Sequence, residues 1–586
     1  MDTTMSTSLP TFGNSMLQLT FGWTDYLLFS GLLGISLLVG FYFGFFSKQD
    51  SASKYLFGGK HMSYIPVFTS ILASMLSGIT FLGIPTEVYF HGAQFIVTLI
   101  PNFLCCLIIA HVIIPLFYDL KLSSSYEYLQ LRFSRSIRML ASTLYIVSLL
   151  LYIPVVMYVP ALAFSQVTGY GIHTITPVFS IVCITYTTMG GVKAVIWTDT
   201  IQFFFTIGSL FTVLIIGIYG LGGFSNIYNI VNEGGRLDIF DSNMSPFGRN
   251  TFMGLTFGML FGHLSRIGIG QKFIQRFLSI EKKADIKKAV YLMMFGWQVL
   301  LTSCILTGLI VYAKYHSCDP LSAKLVHRND QTLPYYVMDV ARNIHGLPGI
   351  FLAGLVSSAL STMSASLNSL SGIIYENFVD RWIPETSKKD ATAACIMKWI
   401  SVLIGAITIA LIFVIEHLGT IFEIANSLST IVDGPLLGLF VAGMFFPWVG
   451  TKGAIIGGSV GLTIMAWIVG GTQWHIINKR IHHSVLPTST EGCPYPLNET
   501  VTSVTSKPLA PEDEPWLIFR LSFLYLIFVG MTITVIISLI ASWVAGETDL
   551  QKIDPRHVVP FVKRFLPKKN YVTVPLKDII PEKVML

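Results

Sequence analysis

Long uncharged apolar stretches recur along this chain, each close to the ~20 residues that cross the hydrocarbon core of a bilayer. At that length the pattern predicts thirteen spans, at about 23–46, 64–90, 95–117, 137–164, 173–189, 199–221, 251–271, 290–313, 347–376, 396–416, 419–447, 453–471 and 516–543. Composition agrees: of 586 residues 12% are charged and 53% hydrophobic, and the mean hydropathy is +0.65. A soluble globule carries about twice that charge. The residues before Trp23 lack the basic n-region and cleavage site of a signal peptide. The chain reads as an all-α polytopic membrane protein in a lipid bilayer.

Basic residues set the expected orientation. Lys48, Lys54 and Lys60 fall in the first loop, Lys121, Arg132, Arg135 and Arg138 in the third, and Lys282, Lys283, Lys287 and Lys288 in the seventh. With the tail, about 26 of the 38 Lys and Arg residues lie on one side. By the positive-inside rule that side is cytoplasmic, which puts residues 1–22 outside and the basic tail 544–586 inside. The net charge of +6 is then a topology signal, and no nucleic-acid partner is expected. Two N-glycosylation sequons, at Asn243 and Asn498, fall in loops assigned outside, as do Cys318 and Cys493, a candidate disulfide. The other cysteines lie in or beside spans, as packing residues. The outer loop 472–515 and the tail read as peripheral, and the sequence gives no indication of oligomeric state.

Polarity inside the ninth span changes the picture. Between Gly346 and Leu370 it carries seven Ser/Thr hydroxyls and Asn368. Ser357, Ser361, Ser364 and Asn368 share one helical face, with Ser358, Thr362, Ser366 and Ser369 on the adjoining one. Two readings are open: a small-residue packing seam whose hydroxyls satisfy their own helix, or oxygens that hold a small hard cation with nearby backbone carbonyls. In the second span, Gly78, Gly83 and Pro85 weaken the ladder and free carbonyls around Ala73 to Leu76. The seventh span is similarly interrupted, at Gly254, Gly258, Gly262, Gly268 and Gly270. Close packing explains either span alone; two interrupted spans in matching positions point to an inverted-repeat transporter.

These features come with Ser125-Tyr-Glu-Tyr-Leu-Gln-Leu-Arg-Phe133, Gly190-Gly-Val-Lys-Ala-Val-Ile-Trp-Thr-Asp199, Gln275-Arg276, Cys318-Asp-Pro, Leu360-Ser-Thr and Gly434-Pro-Leu-Leu-Gly-Leu-Phe. In that order they resemble the sodium/solute symporter family from about residue 25 to 545, and within it the sodium-dependent monocarboxylate and multivitamin branch. The resemblance implies a five-plus-five inverted-repeat core with discontinuous helices (LeuT-like). Residues 64–221 would form the first repeat (spans two to six) and 251–447 the second (spans seven to eleven), flanked by 23–46 and 453–543. It implies Na+ as the coupling ion, held by the carbonyls of Ala73, Leu76 and Ser358 and the hydroxyls of Ser361 and Thr362. A second sodium would sit near Asp199 and Ser364, where Ala365 replaces a hydroxyl common in relatives; Asp199 has a rival role as a structural acid at the membrane boundary.

The family's substrate cavity would draw on Thr80, Phe81, His263, Arg266 and Gln271. The apolar run Ile79 to Leu82 suits a small amphipathic anion better than a hexose, and Arg266 and His263 offer partners for a carboxylate. The alternative for those two is a solvated helix end or pairing with Glu87 or Glu423. Gly270 stands where branch members carry Asn. Asp433, before Gly434-Pro435, suits a gate or a structural acid equally. The expected function is sodium-coupled import of a monocarboxylate or carboxylate vitamin at the plasma membrane. The alternatives are an iodide-like anion, a sugar or a polyol as cargo, or a transport-inactive solute sensor. No nucleophile–base pair or organic-cofactor loop is present in the sequence, so no enzyme is expected.

Overall fold

Backbone in hydrocarbon has only itself to bond to, so apolar stretches of this length fold as helices. The computed structural model describes residues 21–47, 51–240, 245–326, 328–341, 344, 346–384, 386, 389–416, 421–478, 480–481, 485–493 and 515–567, and for 414–416, 421–428 and 552 the backbone only. Asn243, Asn498, the chain before Phe21 and the tail after Pro567 lie outside the described residues.

In chain order the main helices are α1 (Trp23–Phe46), α2 (Tyr64–Met75), α3 (Gly78–His91), α4 (Ala93–Asp119), α5 (Ser125–Arg132), α6 (Arg135–Thr168), α7 (Ile172–Gly220), α8 (Met259–His263), α9 (Gln271–Phe277), α10 (Lys283–Tyr315), α11 (Leu347–Ile374), α12 (Lys389–Glu416), α13 (Ile421–Phe445), α14 (Thr451–Ile477) and α15 (Leu526–Val544). No strand occurs among the described residues. Nine of these helices are long and apolar enough to cross a membrane, ten when α2 and α3 count as one bent span. The expected thirteen is not reproduced as a count, and the reasons are local. The predicted fifth and sixth spans run together as α7, the seventh is short and broken, and of α13 only Ser429–Phe445 falls among the residues whose side chains are described.

α11 is the central shaft: 94% of its most apolar window is buried, against 22% for α1 and 33% for α12. It packs on α7, α6, α1 and α2. Its small residues allow that closeness, with Gly349 against the Asp25 backbone and Gly354 against Ser209. The outer helices turn apolar side chains outward, among them Leu38, Phe45, Leu403, Trp467 and Ile540, as lipid-facing surfaces do. Cys105, Cys106, Cys183 and Cys304 are buried as expected; Cys395 is instead exposed on α12.

α7 turns sharply at one residue, Gly191, with φ 56° and ψ −155°. A Cβ there would also stand 2.8 Å from the Tyr55 carbonyl oxygen. Helix resumes immediately after it, so Asp199 lies two turns inside the second half of α7 and is fully buried. The interval 190–198 left between the predicted fifth and sixth spans is therefore helical on both sides of a single-residue turn.

Two segments that read as peripheral are docked. Leu486 N–H donates to the Phe90 carbonyl, Gly492 N–H to Ser317, and Cys318 is bonded to Cys493 with a Cα–Cα distance of 4.9 Å. Buried Arg236 donates to the Pro487 carbonyl from under this strap. On the other side, Val558, Val559, Val562 and Leu566 of the tail are buried. Composition missed both because a few apolar contacts and backbone hydrogen bonds fix otherwise polar segments.

Gly191→Ala should cost about 1–3 kcal/mol, the scale for a non-glycine residue held at a disallowed φ, ψ. Fluorescence-detected melting of the detergent-solubilised protein checks it; an unchanged melting temperature would show that the turn tolerates a Cβ.

Candidate functional site

The second span breaks where α2 ends at Met75 and α3 begins at Gly78, and the two axes are bent by 55°. Leu76, at φ −81° and ψ 70°, leaves the helix, and the Ser77 hydroxyl then caps α3 by accepting from Thr80 N–H. The break strips the carbonyls of the last turn of α2, Ala73 to Leu76, of the amides a continuous helix would give them. Ala73 and Leu76 are both buried.

α11 runs past this break and presents hydroxyls to it. Thr362 Oγ1 lies 3.3 Å from the Ser74 carbonyl oxygen and 3.0 Å from that of Ser358. Ser361 Oγ lies 2.9 Å from Ser74 Oγ. Other hydroxyls of the same helix bond their own turns: Ser358 to Leu355 O, Ser366 to Thr362 O, and Ser371 to Asn368 O. The two readings of this serine-rich span thus divide along one helix, with packing over most of its length and converging oxygens opposite the break. Ser361 and Thr362 are brought to Ser74, and Thr362 also reaches the Ser358 carbonyl; Ala73 and Leu76 are buried on either side of Ser74 in the second span, and the contact from the break to α11 runs through Ser74. Among the described residues no group of three His, Cys, Asp or Glu side chains is arranged to hold a metal. Neutral oxygens are what this region offers a cation.

From that cluster a polar chain leads to a buried ion pair. Arg276 Nη1 donates to Ser74 Oγ at 2.9 Å and to the Ser70 carbonyl at 2.7 Å, while Nη2 meets Asp199 Oδ2 at 2.8 Å. Ser70 Oγ donates to the same carboxylate at 2.8 Å, and Ser364 Oγ reaches Asp199 Oδ1 at 3.3 Å. Arg276 and Asp199 are 2% and 0% exposed, so each depends on the other for compensation of its charge. Four elements, α2, α7, α9 and α11, meet there. In the sequence Arg276 stands out only as part of the Gln275-Arg276 motif, and no local signal pairs it with an acid 77 residues away.

On the other side of the break lies a cavity of about 430 Å³, lined in part by Ser74, Ser77, Thr80, His263, Arg266 and Asp433. Phe81, one position on from Thr80, points roughly 100° around α3 and packs against Phe351 at 5.8 Å, outside the lining. Gln271 is also outside: it accepts from Ser125 N–H at 2.7 Å and Ser125 Oγ at 2.9 Å, tying α9 to α5. Its neighbour Lys272 lines the cavity instead, 5.6 Å from the Tyr152 ring centroid. Gly270 is required where it stands, because the Arg266 carbonyl leaves no room for a Cβ.

The sequence offers Glu87 and Glu423 as partners for Arg266. Arg266 pairs with Asp433 at 3.6 Å, and Glu87 is held by Arg249 at 3.0 Å and Asn250 at 2.7 Å. The Glu423 side chain lies outside the described residues. The lining carries three basic side chains, Arg249, Arg266 and Lys272, against two acidic ones, Glu87 and Asp433, a formal excess of one positive charge. Tyr126, His263 and Trp297 also line it, and their Oη, Nε2 and Nε1 atoms are buried with no hydrogen-bond partner among the described residues. Tyr126 and Trp297 were not anticipated as lining residues; each sits on an apolar helix face that reads as core.

Residues 55–461 match the sodium:solute symporter family. The chain belongs to that family. It is 35% identical to sodium-coupled monocarboxylate transporter 1 of Homo sapiens over 92% of this chain and 90% of the relative. Sodium-coupled monocarboxylate transporter 2 of Mus musculus is 36% identical over 92% and 87%. The sodium-dependent multivitamin transporter of Oryctolagus cuniculus is 32% identical over 96% and 89%. The fold resembles that of a Na+-coupled sialic acid symporter, solved substrate-bound and outward-open, with TM-score 0.72 at 23% identity over 89% of this chain and 98% of that one. A symporter family of this kind consists of transporters, and the LeuT-like fold expected from the sequence is the one found.

Arg276→Gln strands Asp199 in the interior and should cost about 3–5 kcal/mol. Arg276→Gln with Asp199→Asn should recover much of that loss in melting temperature and yield; a double variant no better than the single would show that the two do not compensate each other.

Proposed function

We propose that this chain imports a small organic anion, a monocarboxylate or a carboxylate vitamin, across the plasma membrane by sodium-driven alternating access. The unmatched positive charge of the cavity carries the choice of an anion. A neutral sugar or polyol would leave that charge uncompensated, and an iodide-like ion would fill little of a cavity of about 430 Å³. The names of the monocarboxylate and multivitamin relatives point the same way.

Sodium is held by the carbonyls of Ala73, Leu76 and Ser358 and the hydroxyls of Ser361 and Thr362. Oxygens without full charge replace part of a hydration shell and still release the ion. A second sodium at Asp199 and Ser364 would compete with Arg276 for the same carboxylate, so in this arrangement the pair acts as a structural latch. Thr80, His263, Arg266, Lys272 and Trp297 meet the substrate, with the carboxylate directed to the cations. The two repeats are 64–221 and 251–447, each opening with an interrupted helix. Residues 1–22 are extracellular and the tail is cytoplasmic, with Asn243 and Asn498 open to glycosylation outside. Inward sodium flow supplies about 2.3 kcal/mol per charge per 100 mV, before the concentration gradient is added.

Replacing sodium by choline in oocytes should abolish uptake of the transported member of a panel of lactate, biotin, pantothenate, iodide and glucose. Undiminished uptake would reject coupling, and sodium currents without accumulation of any solute would favour a sensor. Ser361→Ala with Thr362→Ala should raise the sodium needed for half-maximal uptake at least about tenfold, the effect of ~1.4 kcal/mol of lost coordination; an unchanged sodium curve would remove both from the site. Lys272→Gln should raise the KM of the anion while leaving the sodium curve in place, and an unchanged KM would sink its role.

A further inference from the structure

The tail after α15 is pinned across the helix ends it follows. Lys452 N–H, at the start of α14, donates to Glu547 Oε2 at 2.7 Å. Tyr128 of α5 donates its hydroxyl to the His557 carbonyl at 2.9 Å, and Val559 N–H donates to the Met444 carbonyl at 3.2 Å. Met444 belongs to the last turn of α13, so residues 558–566 lie level with the end of a membrane helix. The segment is two-faced. Val558, Val559, Val562 and Leu566 are buried against the protein, whereas Phe561, Lys563, Arg564 and Phe565 are exposed. Phe561 stands 5.7 Å from the Phe445 ring at the end of α13.

Paired aromatic rings and basic groups at the level of a helix end fit one environment well: the interface of a bilayer with anionic headgroups. In water the two rings would be exposed without compensation, and at the interface each ring is half-covered by acyl chain while Lys563 and Arg564 meet phosphate or carboxylate. We infer that the outer face of residues 561–565 is a docking surface for anionic lipid of the adjacent leaflet, which holds the tail against α5 and α13. This rests on the cytoplasmic placement of the tail proposed above. The consequence for transport runs through α5: Tyr128 holds the tail, and Tyr126, two residues earlier, lines the cavity.

The test uses the full chain with Cys395→Ser, since Cys395 is exposed and would label, and Phe565→Cys carrying a polarity-sensitive dye. It is reconstituted in phosphatidylcholine alone or with increasing phosphatidylserine. The dye should shift to the blue as phosphatidylserine is added. Lys563→Gln with Arg564→Gln should raise the phosphatidylserine needed about twenty-five-fold, from about fivefold per basic group. Both variants lie on the exposed face and leave the buried valines untouched. Identical emission in both lipids, or a charge variant that responds like its parent, overturns the proposal. Sodium-driven uptake measured on the same vesicles separates the two readings. Uptake without a dye shift removes the lipid surface alone, and a dye shift without uptake removes the transport function alone.

Discussion

A helix broken inside a membrane leaves carbonyls that cannot reach water, and the rest of this structure follows from their need for partners. An amide-like group left unpaired in an apolar medium costs about 2–7 kcal/mol. The interruption at Leu76 therefore has to be met by whatever packs against it. Here that is α11, and only a helix of small hydroxylated residues can come close enough and still offer polar atoms. The burial of 94% of its most apolar window is the geometric result. The same break turns α3 by 55° away from α2, which opens the space that becomes the cavity. The converging oxygens and the cavity are thus two consequences of one interruption, sharing Ser74: its hydroxyl lies 2.9 Å from Ser361 Oγ, and the residue also lines the cavity.

The Arg276–Asp199 pair answers a different demand. A buried ion pair is poor at stabilising a fold compared with apolar packing, yet once present neither partner can be lost alone. Its value is specification of arrangement. Asp199 on α7 fixes Arg276 on α9, and Arg276 in turn fixes Ser70 and Ser74 of α2. The serines opposite the break are therefore held in register by a charge pair between helices distant in sequence. Asymmetry of this kind suits a molecule that must hold one arrangement firmly and exchange it for another.

Hydropathy made the helical, membrane-crossing class legible, because period and length are local properties of the chain. The serine ladder of the ninth span and the glycines of the second and seventh located the polar centre for the same reason. Failures came at single-residue resolution. Thr80 and Phe81, or Gln271 and Lys272, are equivalent in a sequence reading, yet adjacent helical positions face directions about 100° apart, and only one of each pair lines the cavity. Gly191 turns α7 within a single residue, so the loop expected at 190–198 does not exist. The docked outer strap and tail were illegible for another reason: their anchors, Arg236 under Pro487 and Tyr128 under His557, join residues hundreds of positions apart.

Charge balance then links the two ligands without a mechanical lever. A cavity with an excess positive charge resists a further cation beside it, and a neutral-oxygen site gives sodium no counter-charge of its own. On the reading proposed above, an anion entering the cavity would remove that resistance, and sodium at the break would increase the attraction for the anion. By reciprocity the two effects are one coupling free energy. In a low-dielectric interior unit charges a few ångströms apart interact on the scale of ~4 kcal/mol at an effective dielectric of about 20. On the same reading, an interaction of that order would be enough to supply the 1–3 kcal/mol typical of coupled sites.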